Sequence, residues 1–268
     1  MTEDLKTYFG RQRAATLSRL QGKRGKTMLK RASQPPDEPP EGTEPPTEAA
    51  GSALDPGAVF DSAFWTQELA RTLAPSYESI AQTATGRVKK QVGLTGNIND
   101  GTSTEAVKNI LDQRAQKSAL SITGTTRQQI FDALQQGVAA GEGIPALSAR
   151  INDIFDNADK VRAKMIAQTE TVGAMNQAAS TYANNLPEGI IGSKTWLAHH
   201  DDRTRPTHRI ADGQTVPLNS KFAVGGFAMD FPGDPTAPPG EVINCRCGTA
   251  YLPPSMTIGQ LASAKTLK

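Results

Sequence analysis

The chain has 268 residues, 37% apolar and only 5% aromatic, which is low for a compact globule of this length and leads us to expect loop or disordered stretches. No apolar run approaches the roughly 18 residues of a membrane helix, and the opening MTEDLKTYFG lacks the charged-then-apolar layout of a signal peptide. The net charge of +2 is unevenly spread, with +7 on residues 1–33, −6 on 34–58 and +1 on the remainder; this layout suggests an interaction tail followed by a spacer.

Residues 1–33 read as a basic helical tail. Leu5, Tyr8, Phe9, Leu17 and Leu20 give it a weak apolar side, and Lys23, Arg24, Lys26, Lys30 and Arg31 follow. Two readings stand: docking on an acidic partner such as DNA or another protein, or a solvated basic tail. The segment lacks the interleaved aromatics of a single-strand stacking surface. Residues 34–58 hold seven prolines and six acidic residues. Such a composition cannot bury enough apolar surface to fold, so it reads as a disordered linker.

Helix dominates from 59 to 186, with 59–122 read as a helical arm. Trp65, Leu69 and Leu73 fall on one stripe, and Tyr77, Ile80, Ala84 and Val88 resume it after Pro75, which should restart or kink the helix. Residues 93–102 read as a loop. Thr102-x-x-Glu105 and Thr125-x-x-Gln128 are capping boxes, each predicting a helix start. Gly141 and Gly143 close the second of these helices, and Pro145 suits the first turn of the next, whose face is Leu147, Ile151, Ile154 and Phe155. A last long helix carries Val161, Met165, Val172, Met175, Ala179 and Tyr182 on one stripe, and Pro187 and Gly189 end it.

From 190 the helical stripes vanish. Short strand-like runs appear at 194–198, 222–224 and 242–252, separated by Gly and Pro. The expected fold class is α+β: a helical region, then a small loop-rich β-containing domain. The boundaries are drawn at 123–254 for that domain and 255–268 for a C-terminal tail.

The chemistry-bearing residues crowd into this last region. The two cysteines, Cys245 and Cys247, are separated by one residue. Such a pair does not make a disulfide framework and points to synthesis in a reducing cytosol. On a strand both sulfurs would share one side with Ile243 and Tyr251, while Asn244 and Arg246 faced the other. They could join His208 and His199 or His200 in zinc-like ligation, or be inert buried thiols. Zinc is thus the one cofactor considered; otherwise none is expected.

Asp201, Asp202, Arg203, Arg205 and His208 form a charge-dense turn. One reading is an ion-paired network in which Arg205 clamps Asp212 or Asp234 and Arg246 does likewise. The other is a hydrolytic site with His208 as base and Asp202 as metal ligand, but no further acid, Lys or His completes a known set. Trp196 reads as a core anchor. Gly225, Gly226 and Gly233 supply turns without the strand–loop–helix context of a phosphate cradle.

Trp196, Asp202, Arg203, Arg205, His208, Asp212-Gly213, Pro232-Gly233-Asp234-Pro235 and Asn244-Cys245-Arg246-Cys247 occur in that order. In this the sequence resembles the phage Mu F-like minor capsid, or head-morphogenesis, family. Ala167-Gln168-Thr169-Glu170 and Asn176 are similar to that family's lead-in helix, so the likeness covers about 125–252. Phe9-Gly10-Arg11-Gln12-Arg13 and Phe64 to Leu69 are faintly similar to the C-terminal tail of phage portal proteins.

The resemblance implies a non-enzymatic structural protein of a phage head. It would lie in the head interior near the portal and act in assembly, DNA packaging or delivery after residence in the host cytoplasm. The implied partners are the portal or the major capsid protein, with packaged DNA as a further partner for residues 1–33, and no membrane. The structural network would be Trp196, Asp202, Arg203, Arg205, His208, Asp212, Asp234, Asn244 and Arg246. Two alternatives stay open: a metal-dependent nuclease or toxin-like enzyme delivered with the DNA, and a C-terminal extension of a portal protein.

Overall fold

The computed structural model describes residues 1–32, 55–94 and 101–263. Most of the 34–58 linker, residues 95–100 of the 93–102 loop and the end of the 255–268 tail lie outside the described residues. The helices are α1 (Thr2–Gln21), α2 (Lys23–Ala32), α3 (Ser62–Gln91), α4 (Gly101–Ala139), α5 (Ile144–Asn157) and α6 (Ala163–Asn184). The α+β region follows as β1 (Ser193–Leu197), α7 (Pro206–Ala211), β2 (Thr215–Pro217), β3 (Phe222–Val224), β4 (Phe227–Met229), α8 (Pro239–Val242), β5 (Gly248–Leu252) and α9 (Ile258–Ser263). Among the described residues, no helix is long and apolar enough to cross a membrane.

Two compact units result. One comprises Glu3–Thr72 and Ala119–Ala163, the other Met1–Thr2, Leu73–Ser118 and Lys164–Lys268.

In the first unit, α1 is a packed helix. Leu5, Tyr8, Phe9, Gln12, Thr16 and Leu20 are its buried residues. Their spacing is that of one helical face. Gln12 and Thr16 sit where an apolar residue would be expected, which is why the stripe looked weak in sequence. Gln12 donates through Nε2 to the Tyr8 hydroxyl (2.9 Å) and Thr16 donates to the Gln12 carbonyl (2.8 Å), while Gln12 Oε1 stays buried without a partner. Tyr8 in turn donates to the Trp65 carbonyl (3.0 Å) and meets the Trp65 ring edge-on at 5.6 Å. The predicted apolar face of α5 is buried at Leu147, Ile151 and Phe155.

Three local expectations need correction. Pro75 does not restart α3, which runs through it. Thr125 does not start a helix, because α4 is continuous there. Its hydroxyl donates back to the Ser121 carbonyl (3.0 Å) instead of capping, a bond that competes with N-capping. The last long helix is not one stripe either. A π-helical turn at Ala158–Arg162 separates α5 from α6, and Val161 is 63% exposed. The side of α6 that is buried carries Ala163, Ile166, Ala167, Ala174, Ala178 and Tyr182, not the larger Met165, Val172 and Met175. Small side chains let neighbours approach the helix closely. At Gly173 an added Cβ would come within 2.3 Å of Nη2 of Arg114, and one at Gly233 within 2.9 Å of the Gly173 Cα.

In the second unit, β1 is the central strand of a three-stranded antiparallel sheet of order β2-β1-β5. β3 and β4 form a separate hairpin. Its two-residue turn, Gly225-Gly226, has φ of 58° and 85°, the left-handed values that hairpin turns of this length require. The run 242–252 is strand only from Gly248. Its first half ends α8 and then forms a loop in which Asn244 has φ 59°. Such a backbone cannot continue a strand.

Candidate functional site

The site is built where β1, α7, α8 and the 243–247 loop meet. Trp196 of β1 is fully buried in a cluster with Ala211, Phe222, Val224, Met229, Cys245 and Cys247. Its ring meets His208 and Phe222 edge-on, each at 5.4 Å. β1 also buries Lys194, whose Nζ donates to the Asp230 carbonyl at 2.9 Å and lies 5.2 Å from the Phe222 ring centre. Burial pushes the Lys194 amine below its ordinary range.

α7 starts with Pro206 and presents His208 inward, 1% exposed. The imidazole has a partner on each side. Nδ1 is 3.3 Å from Sγ of Cys247 and 3.8 Å from Sγ of Cys245. Nε2 is 2.9 Å from Oε2 of Glu241, which also accepts from the Thr207 hydroxyl at 2.9 Å. The two cysteines converge on His208 from a loop, not from a strand. The left-handed Asn244 turns the chain between Ile243 and Cys245, its N–H donates to Thr169 Oγ1 (2.9 Å), and Asn176 Nδ2 donates to the Cys247 carbonyl (3.0 Å). Ile243, expected beside the sulfurs, is 37% exposed.

A hydrogen bond from Cys245, reinforced by His208, holds the Cys247 thiol well below the usual thiol range. Cys245 is pushed up because it donates that bond and is buried. His208, Cys245 and Cys247 offer three ligand atoms within 4.8 Å of one another.

Around this centre runs an ion-paired layer. Arg246 forks onto both carboxylate oxygens of Asp201. Thr204 donates to Asp201 Oδ1 (3.2 Å) and to the His199 carbonyl, and the Arg203 N–H donates to Asp201 Oδ1 (3.0 Å). Asp212 accepts from the Ala198 N–H (2.7 Å) and lies 3.0 Å from His200 Nε2. Buried Asp234 accepts from the N–H groups of Asp230 (2.8 Å) and Thr236 (2.9 Å), so it shapes the Pro-Gly-Asp-Pro loop.

Several expected partners differ. Arg205 does not clamp Asp212 or Asp234; its guanidinium donates to the Ile243 carbonyl. Asp202 is exposed, and its neighbour Asp201 takes the role expected of it. His199 is not in the three-ligand group: its ring is half exposed and lies 3.7 Å from Asp201. Glu241 was missed. Its sequence signal was slight, an acid just inside a Pro-Pro-Gly-Glu helix start.

The Asp201–Arg246 pair makes a pH prediction. The forked bonds from Arg246, and Thr204 after it, hold the Asp201 carboxyl well below the usual carboxylate range. A folded value below the unfolded one means the pair stabilises fully above about pH 4, and that this is lost as pH falls towards the folded value. Asp201→Asn should therefore be less stable than the unaltered chain at pH 6, with a narrower gap at pH 3. Denaturation midpoints at both values test this, and an unchanging gap would rule out the pair as the cause.

Residues 128–250 match the family model described as Phage Mu protein F like protein. The chain is 27% identical over 121 residues to the minor head protein GP7 of Bacillus phage SPP1, covering 45% of this chain and 39% of that protein. It is 28% identical over 143 residues to the NAD(+)–arginine ADP-ribosyltransferase EFV of Enterococcus faecalis, covering 52% of this chain and 28% of that enzyme. The matched stretch is thus well under half the length of either relative. No solved structure matches. The family model leaves residues 1–127 and 251–268 unmatched.

Proposed function

We propose, from the premise that residues 128–250 form a phage Mu protein F-like region, that the chain is a structural minor head protein of a tailed phage. It acts in head assembly, DNA packaging or delivery, in the head interior near the portal. The observation that carries this reading is the match of residues 128–250, which include the site, to the Phage Mu protein F-like family model, together with the similarity to a minor head protein. The residue chemistry supports it. Asp201, Arg246, Asp212 and Asp234 are engaged with backbone or with each other, as expected of groups that hold loops in place.

The enzyme alternative draws on the Cys247–His208–Glu241 series, which has the order of a nucleophile, a base and an orienting acid. Against it, Cys247 and His208 are 3% and 1% exposed, and a nucleophile must reach its substrate. The similarity to the ADP-ribosyltransferase covers 28% of that enzyme. We therefore favour a non-enzymatic role, with portal or major capsid subunits as partners. The basic residues of α1 and α2 are candidates for contact with packaged DNA, although Arg11 and Arg19 are paired at the surface with Glu68 and Asp61.

A nonsense mutation in the gene, complemented by the intact chain, tests the role. Particles made without the chain should lose infectivity, and complementation should restore it. Full infectivity without the chain would overturn the proposal.

A further inference from the structure

We propose that His208, Cys245 and Cys247 bind a single zinc ion through Nδ1 and the two Sγ atoms, with Glu241 as the outer carboxylate that fixes the imidazole. This inference rests on the geometry of the three side chains and is independent of the head-protein reading.

The nitrogen–sulfur distances match those around a shared metal ion. With zinc bonds of about 2.3 Å to sulfur and 2.0–2.1 Å to nitrogen, the sulfur–nitrogen edge of a tetrahedron is about 3.6 Å. The two edges here are 3.3 and 3.8 Å, one on each side of that value. A single hydrogen bond from Nδ1 needs only one acceptor; here two sulfurs flank it. Soft thiolates with an imidazole select zinc over magnesium or calcium.

The surroundings complete the case. Nε2 of His208 faces Glu241 at 2.9 Å, so that its N–H donates to the carboxylate and Nδ1 is left free as a ligand. A carboxylate behind a ligating histidine is the recurrent outer partner of zinc sites. Thr207 donates to the same oxygen and holds the carboxylate in place. Two thiolates and one dication sum to zero charge, which suits a site walled by Trp196 and Phe222. The left-handed Asn244 and the bond from Asn176 to the Cys247 carbonyl pre-set the loop so that both sulfurs meet the ring. Three protein ligands leave the fourth tetrahedral position to water or another donor.

The test uses the full chain purified under reducing conditions, stripped with chelator, and reloaded with Zn²⁺ or Co²⁺ alone. One equivalent of zinc should survive gel filtration, and cobalt should give a thiolate-to-metal charge-transfer band with four-coordinate visible absorption. Glu241→Gln should weaken zinc binding by about 10–100-fold, while Asp202→Asn, at an exposed position, should leave it unchanged. Cys247→Ser should abolish the charge-transfer band; should that variant fail to fold, the Glu241→Gln affinity still decides. Failure of the unaltered chain to retain zinc would overturn the proposal, as would equal retention by the Cys245→Ser, Cys247→Ser double variant. So would rapid alkylation of Cys247 at mildly acidic pH that added zinc does not slow, because that marks a free thiolate paired with imidazolium.

Discussion

Glu170→Ala should destabilise the unit containing α6 by about 3–5 kcal/mol, the cost of leaving a buried charge without its partner. Glu170 lies on α6, 9% exposed, and Arg114 on α4 is 6% exposed. Oε2 of Glu170 accepts from Arg114 Nε (2.9 Å) and from the Tyr77 hydroxyl (2.7 Å). Arg114 also donates to Gln177 (3.0 Å), and its guanidinium lies on Gly173, where no side chain keeps it away. Burial, and then the charge of Glu170, pushes the Tyr77 phenol up, so it stays a neutral donor throughout the physiological range. Removing the carboxylate strands a guanidinium and a hydroxyl together. Glu170→Gln, which keeps an acceptor for Tyr77, should cost less than Glu170→Ala. Replacing Arg114 and Glu170 together by Met and Leu should cost less again, because no charge is then left buried. Denaturant midpoints for the three variants check the order. A Glu170→Ala chain as stable as the unaltered one would show that the carboxylate is solvated.

Trp196→Ala should cost about 3–5 kcal/mol, the range for truncating a buried large aromatic. The effect should be concentrated in the β region, whose cluster holds one other aromatic, Phe222, besides Val224 and Met229. Loss of the indole removes the surface on which both His208 and Phe222 rest. It also undercuts β1 where Trp196 is paired with Thr249 of β5 and its backbone N–H donates to the Gln214 carbonyl (2.9 Å). Amide hydrogen exchange should show lost protection across β1 and β5, with less change in α5. Full protection of β1 in the variant would contradict the anchoring role.

Much of this arrangement was legible in sequence, and the failures have physical causes. The α+β division was visible because the helical stripes stop near 190 and Gly and Pro take over. Leu147, Ile151 and Phe155 were readable as one face because apolar residues repeat there at helical spacing. The stripe of α6 was misread because burial there follows close approach between backbones, so alanines and Gly173 are inside and Val161 is outside. Local signals could not reveal that a tertiary bond competes with them. The Thr125 capping box fails within an α4 tied down one residue on, where Arg162 donates to Thr126 Oγ1 (2.7 Å) and to the Ile122 carbonyl (2.8 Å).

The candidate site divides in the same way. Its residue types were recognisable, but pairing among several acids and bases within a dozen residues was not. Asp201 and Asp202 are adjacent, and only the turn geometry decides which reaches Arg246. Convergence of Cys245, Cys247 and His208 survived the loss of the strand expected to produce it, because Asn244 in a left-handed conformation turns the loop instead. Glu241, thirty-three residues from its partner His208, carried no pattern that could announce it.

The central claim is that the chain is built into a phage head. Quantitative mass spectrometry of purified, DNA-filled particles from the genome that encodes the chain tests it most directly. The chain should be present in those particles, at a copy number far below that of the major capsid protein. Particles free of the chain, from lysates in which it is abundant, would contradict it.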